Sequence, residues 1–188
     1  MKNKWAIVLG CSTGHGAAIS KQLASEGYGI IGFHLDRGSV KKEAHQLENE
    51  ISLMNKGKTK FWNENAADKK TIEKRLVEIK SLIKDGYVKL LMHSIAFGST
   101  TNFFEPTPVK QRQMDMTQHV MANCLIYWAQ ALLNESLLDD GSRILGITSE
   151  GSYKAMDGYG PVGVSKASLE AVIRQIGWEL GSKGITAN

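Results

Sequence analysis

Trp5-Ala6-Ile7-Val8-Leu9-Gly10-Cys11-Ser12-Thr13-Gly14-His15-Gly16-Ala17-Ala18-Ile19 decides the fold. It reads as a buried strand over 5–9, a turn carrying three glycines, and a helix opening at about Gly16 and running to 26. Glycines at these places allow a tight turn and a close backbone approach, so a pyrophosphate can rest on the helix N-terminus. Gly10, Gly14 and Gly16 are therefore candidate binding residues, and the hydroxyls of Ser12 and Thr13 can add hydrogen bonds to phosphate. A glycine trio by itself is weak evidence; one that follows a strand and opens a helix is credible.

Working outward, the same alternation repeats. Strands are expected over 29–34, 58–62, 89–93 and 143–148. Helices are expected over 40–56, from an Asp68 cap to 83, over 109–138 and over 161–180. Strands that alternate with helices imply right-handed crossovers and a parallel sheet, hence a doubly wound α/β fold with helices on both faces. The chain has 188 residues, which suits one domain over 1–188 with a sizeable core. Gly184-Ile185-Thr186-Ala187-Asn188 reads as the start of a sixth strand, so the C-terminal part of the domain is expected to be missing.

Bulk composition excludes several classes. It is ordinary for a globular protein, at 42% hydrophobic, 22% charged and 3 Pro. A net charge of +4, from lysines spread along helical stretches, indicates a solvated face rather than a nucleic-acid surface. Cys11 and Cys124 lack metal-ligand spacing, so no metal site is expected and both are read as free thiols in a reducing cytoplasm. The apolar run that follows Met1-Lys2-Asn3-Lys4 is too short for a signal sequence or a membrane span.

The second strand leads into His34-Leu35-Asp36-Arg37. An acidic residue about twenty positions beyond the glycine turn can accept from both ribose hydroxyls of NAD. Arg37 next to it could instead pair with a 2′-phosphate. The two residues argue for different cofactors; because Asp36 repels a phosphate, NAD(H) is favoured over NADP(H).

The second constellation is Gly158-Tyr159-Gly160-Pro161-Val162-Gly163-Val164-Ser165-Lys166. An ammonium near a phenol favours the phenolate and so makes the phenol a usable proton donor. Pro161 suits the first position of a helix with Gly160 as a permissive cap, which leaves Tyr159 outside and able to fold back toward Lys166. Each residue has a bland reading: Tyr159 as a packing aromatic, Lys166 as a solvated lysine, Ser149 as a strand-end serine, Asn123 as a polar residue bonding its preceding turn. Tyr153 is a competing donor ranked below Tyr159. His93 is read as structural or cofactor-lining, and Met114, Met116, Met121 and Trp128 as core or a subunit face.

These residues together resemble the short-chain dehydrogenase/reductases over 4–188. Gly10-xxx-Gly14-x-Gly16 is similar to their glycine motif, and Asn123, Ser149, Tyr159 and Lys166 fall in the order of their Asn, Ser, Tyr and Lys. Asn65-Ala66-Ala67-Asp68 lies where the family has an Asp-centred adenine contact, with Asn in first place here. Most members carry the tyrosine four before the lysine, where this chain has Val162. Tyr159, seven before, resembles the enoyl-acyl-carrier-protein reductases, as does Met92-His93-Ser94-Ile95-Ala96-Phe97. The glycine turn is of the ordinary reductase type, and Ser149 sits where many enoyl reductases place an aromatic.

The resemblance implies a Rossmann-type NAD(P)-binding domain in a cytoplasmic homodimer or homotetramer. It implies cofactor contacts from Asn65, Ser94 and Lys166, with Tyr159 as proton donor, Ser149 as a second donor and Asn123 positioning the lysine. Three functions stay open: reduction of the C=C bond of an enoyl thioester, reduction or oxidation of a small ketone or alcohol, and a catalytically idle dinucleotide sensor.

Overall fold

In the computed structural model, which describes residues 3–188, six strands form one parallel sheet in the order β3-β2-β1-β4-β5-β6. The strands are β1 (Lys4–Leu9), β2 (Gly29–His34), β3 (Thr59–Asn63), β4 (Tyr87–His93), β5 (Arg143–Gly146) and β6 (Thr186–Ala187). Met1 and Lys2 of the lead-in lie outside the described residues. The order reverses direction at β1, between the two halves of the sheet. In such sheets the crevice at the carboxyl ends of the strands, at the reversal, is the ligand-binding place.

The helices are α1 (Gly14–Ser25), α2 (Gly38–Met54), α3 (Lys69–Ile83), α4 (Gln111–Gln118), α5 (Cys124–Asn134) and α6 (Gly160–Leu180). Period-two alternation sends β1 side chains to two different cores. Ala6 and Val8 pack with Ala24 of α1 and with Leu47 and Ile51 of α2. Ile7 and Leu9 pack on the other face with Ile79 and Ile83 of α3, Leu125 and Trp128 of α5, and Leu169 and Ile173 of α6. Helices therefore cover both faces. No helix among the described residues is long and apolar enough to cross a membrane.

Four local expectations need correction. The first helix begins at Gly14, not Gly16, because Ala17 already donates to the Thr13 carbonyl (3.2 Å). The third strand runs one residue further than 62, to Asn63. The single helix expected over 109–138 is interrupted: a π-helical turn, His119–Asn123, separates α4 from α5. Finally, Tyr159 rather than Gly160 is the N-cap of α6; its carbonyl accepts from Gly163 N at 2.8 Å, with Gly160 and Pro161 already inside the helix.

Candidate active site

The glycine turn is anchored from below by β2, whose Phe33 carbonyl accepts from both Gly10 N (2.8 Å) and Cys11 N (3.1 Å). Gly10 has φ +86°, and a Cβ there would stand 2.7 Å from the Ser94 carbonyl oxygen of the β4 loop. Gly14 has φ +53° and faces open space. Gly16 serves packing: a Cβ would sit 1.8 Å from the Gly10 carbonyl oxygen, so only glycine lets α1 close onto its own turn. Thr13 is extended at the N-cap, but its hydroxyl does not cap the helix, and the first turn holds no acidic residue. The first-turn N–H groups of α1 are thus offered outward, with the positive end of the helix dipole behind them.

A cavity of about 420 Å³ extends from this turn to the ends of β2, β4 and β5. Gly10, Ser12, Thr13, Gly14, Asp36, Asn65, Ser94 and Lys166 line it. Gly16 and Arg37 are not among its lining residues: the first is buried in the turn, and the second is the N-cap of α2. His15, Phe33, His34, Phe97, Met116 and Ile147 also line it and were not read as site residues from sequence. Met116 in particular reaches the cavity rather than serving only as core.

At the outer end, Asp36 Oδ2 accepts a hydrogen bond from His34 Nδ1 at 2.8 Å. The Asp36 backbone exchanges two more with the Asn63 side chain: its N–H donates to Oδ1 (2.9 Å), and its carbonyl accepts from Nδ2 (3.0 Å). Nearby, Asn65 Oδ1 accepts from Ala67 N, and Trp128 Nε1 and His119 Nε2 donate to the carbonyls of Ala66 and Ala67. The 64–67 turn is thereby fixed to α5 and the π turn. Glu64 beside it is paired with Arg75, which holds its carboxyl below the ordinary range.

At the inner end, Lys166 is only 4% exposed. Its ammonium donates to the Ile147 carbonyl at 2.6 Å and, more weakly, to that of Ile95 at 3.5 Å. Burial pulls its pKa from 10.5 to about 8. His93, fully buried, donates from Nε2 to the Val120 carbonyl (3.1 Å) in the π turn. The same carbonyl accepts from the Cys124 thiol (3.2 Å). Burial, helped by the Lys166 charge, lowers the His93 pKa to about 4, and burial raises that of Cys124 to about 12. His93 is thus a structural clamp rather than a cavity wall. Asn123 ends the π turn, where its Oδ1 accepts from Gln118 Nε2 at 3.3 Å, and Gln118 also donates to Ser168 Oγ on α6 at 2.5 Å. Among the described residues, no hydrogen bond joins Asn123 to Lys166.

Tyr159 occupies the neighbouring compartment. Its ring lies on Gly151, where a Cβ would come within 2.4 Å of Cε1, and its hydroxyl donates to Ser149 Oγ at a long 3.4 Å. It lines an open groove of about 620 Å³ together with Phe103, Phe104, Tyr153, Met156 and Val164. The phenol and the ammonium therefore face different partners: Ser149 for one, main-chain carbonyls for the other. Val162, at the four-before position, is buried. Tyr153 is 77% exposed at the rim.

The cavity fits a dinucleotide. It offers an uncapped helix N-terminus suited to phosphate, a carboxylate at its outer end and a buried lysine at the far end.

A family model described as enoyl-(acyl carrier protein) reductase matches residues 10–188. The enoyl-[acyl-carrier-protein] reductase [NADH] 1 of Rhizobium meliloti (strain 1021) is 26% identical over 195 residues, covering 100% of this chain and 66% of that protein. The chain thus spans about two thirds of the length of the curated relatives it matches. A dehydrogenase/reductase structure from Sinorhizobium meliloti 1021 superposes with a TM-score of 0.85 at 25% identity, over 100% of this chain and 71% of that one. An enoyl-(acyl-carrier-protein) reductase from Anaplasma phagocytophilum, solved with NAD, superposes with a TM-score of 0.81 at 19% identity, over 100% and 70%. That last likeness shows the fold alone.

Proposed function

Since the chain belongs to the short-chain dehydrogenase/reductases, in their enoyl-(acyl carrier protein) reductase group, we propose that it reduces the C=C bond of an enoyl thioester. The observation that carries this reading is the placement of Tyr159. Tyr159 caps α6 seven residues before Lys166, while the four-before position is a buried valine. In carbonyl reduction, hydride and proton add to the two atoms of one bond. In enoyl-thioester reduction, hydride adds to the β-carbon and negative charge collects on the more distant carbonyl oxygen. A donor displaced from the lysine, as Tyr159 is, suits that oxygen and stabilises the enolate-like transition state.

We propose that the cavity holds NAD(H), in keeping with the NADH named for the Rhizobium meliloti relative. Bound there, a reduced nicotinamide supplies the hydride. Gly10, Ser12, Thr13 and Gly14 hold the pyrophosphate, Asp36 the adenosine ribose, and Lys166 the ribose at the inner end. Asn65 and Ser94 line the remaining wall. Tyr159 holds a proton toward the substrate oxygen, and Ser149 orients the phenol through the hydrogen bond between them. Asn123 acts on α6 through Gln118 and Ser168.

The test is NADH oxidation with crotonyl thioester beside a panel of small ketones. Tyr159→Phe is expected to cut turnover on the thioester by about a hundredfold or more, the worth of a positioned proton donor. The NADH dissociation constant should be nearly unchanged. Intact turnover in that variant refutes the assignment. One observation favours a second reading, reduction of a small ketone: the Ser149–Tyr159 pairing. Turnover on the ketone panel alone would select it.

A further inference from the structure

Asp36, just beyond the end of β2, is held from two directions. His34 is the last residue of β2 and Asp36 follows two positions beyond it, where the two side chains meet. A carboxylate only accepts hydrogen bonds, so the 2.8 Å contact fixes the imidazole with its proton on Nδ1, donating to Oδ2. His34 is itself confined, with a side chain 7% exposed, whereas that of Asp36 is 19% exposed at the cavity wall. Asn63, the last residue of β3, makes a reciprocal pair with the Asp36 backbone at 2.9 and 3.0 Å. Side chain and main chain of Asp36 are therefore each tied to a separate anchor. Arg37, the residue able to attract a phosphate, lies outside the cavity lining.

We propose that His34 and Asn63 are specificity-positioning residues. They clamp Asp36 so that its second carboxylate oxygen meets the adenosine ribose hydroxyls of NADH and repels the 2′-phosphate of NADPH. An unclamped aspartate could rotate away from a phosphate and tolerate it; a clamped one cannot. The inference rests on the NAD(H) reading above.

Dissociation constants for NADH and NADPH are measured on the substrate-free protein by nicotinamide fluorescence and calorimetry, so that no turnover is involved. The wild type is expected to bind NADH at least tenfold more tightly. His34→Leu, which removes the donor, is expected to weaken NADH by about tenfold, the worth of one hydrogen bond to a charged group. It should bring the NADPH/NADH ratio toward one. His34→Asn keeps an N–H donor near the Nδ1 position and should restore most of the ratio, which a loss of packing would not allow. Asn63→Leu should shift the ratio in the same direction as His34→Leu, and thermal melts confirm folding of each variant. A wild type without NADH preference would overturn the NAD(H) reading and the clamp together. A selective wild type whose ratio survives in folded His34→Leu or Asn63→Leu would overturn the clamp and leave the reading standing.

Discussion

Lys166→Met should make the cofactor-free protein more stable near neutral pH and cancel that advantage as the pH rises. The wild-type ammonium is 4% exposed, and burial has moved its pKa from 10.5 to about 8. Between those values the unfolded chain binds more protons than the folded one, so wild-type stability climbs with pH across that window. Below pH 8 the charged form is carried in full. At 1.36 kcal/mol per pH unit, its cost relative to the neutral amine is about 3 kcal/mol. Methionine keeps a long unbranched side chain and carries no such cost. It gives up the hydrogen bonds to the Ile147 and Ile95 carbonyls, of which only the first, at 2.6 Å, is strong. Charge-assisted bonds of that kind are worth about 1.5–3 kcal/mol each. The net gain at pH 7 is therefore about 0–2 kcal/mol. The robust quantity is the slope, because the lost hydrogen bonds offset the whole curve and leave its shape. Urea unfolding of both proteins at pH 7, 8, 9 and 10 reads it directly. The mutant-minus-wild-type difference should be flat to pH 8 and then fall by about 3 kcal/mol toward pH 10.5. A difference that stays constant over that range would refute the argument that the lysine is buried charged. Catalysis should be lost in the same variant, so stability and function oppose each other at this residue.

Three further outcomes follow from the same geometry. His93 is buried neutral with a pKa lowered from 6.5 to about 4, so its contribution is present above pH 6.5 and lost as pH falls through 4, about 3 kcal/mol in all. His93→Gln, which can still donate to Val120, should flatten that acid limb; comparison of urea midpoints at pH 7 and 4.5 checks it. Gly16→Ala places a methyl 1.8 Å from the Gly10 carbonyl oxygen and should cost about 3 kcal/mol by overpacking against backbone that cannot yield, seen as a lower melting temperature together with lost dinucleotide binding. Trp128→Phe strands the Ala66 carbonyl that Trp128 Nε1 now bonds at 2.8 Å. It should cost about 1–3 kcal/mol by denaturant titration.

The strand–turn–helix at residues 5–19 was legible because three independent signals agree there: an apolar β-branched run, spaced glycines, and a helical pattern beyond them. The Asp68 cap was legible for a similar reason, and its side chain does accept from Lys70 N at 3.1 Å. The π turn was not. It widens the helix by a single turn inside an apolar stretch, and hydrophobic periodicity cannot resolve one extra residue; polar His119 and Asn123 amid buried neighbours were the available signal. Asp36 and Arg37 illustrate another limit. Neighbouring residues after a strand point differently, and sequence alone cannot say which one enters the cavity. His34 was legible in principle through its two-residue spacing from Asp36. Asn63 was not, because its partnership spans 27 positions and depends on β3 extending one residue further than its apolar pattern.

The Tyr159–Lys166 spacing acquires a different meaning in three dimensions from the one it has in sequence. Tyr159 ends outside the helix as expected, yet among the described residues no hydrogen bond joins its phenol to the ammonium. The cap position turns its ring onto Gly151 and its hydroxyl to Ser149, while Lys166, two turns into α6, is held by the main chain just beyond β5 and by the β4 loop. Tyr159, the proposed proton donor, and Lys166, the proposed ribose-binding lysine, thus belong to two adjoining compartments. The segment between β4 and α4 runs from one to the other: Ser94 to Phe97 line the cavity, and Asn102 to Glu105 line the groove. It is fastened to α4 by Ser99 N to Thr117 Oγ1 at 3.0 Å and to the turn before α6 by Gly158 N to Asn102 Oδ1 at 2.7 Å. A substrate reduced at a carbon beside the cavity and stabilised at an oxygen beside Tyr159 must span that boundary. A ketone presents both atoms in one bond, whereas an enoyl thioester separates the β-carbon from the oxygen by two further carbons, and this separation is why the divided site suits the thioester.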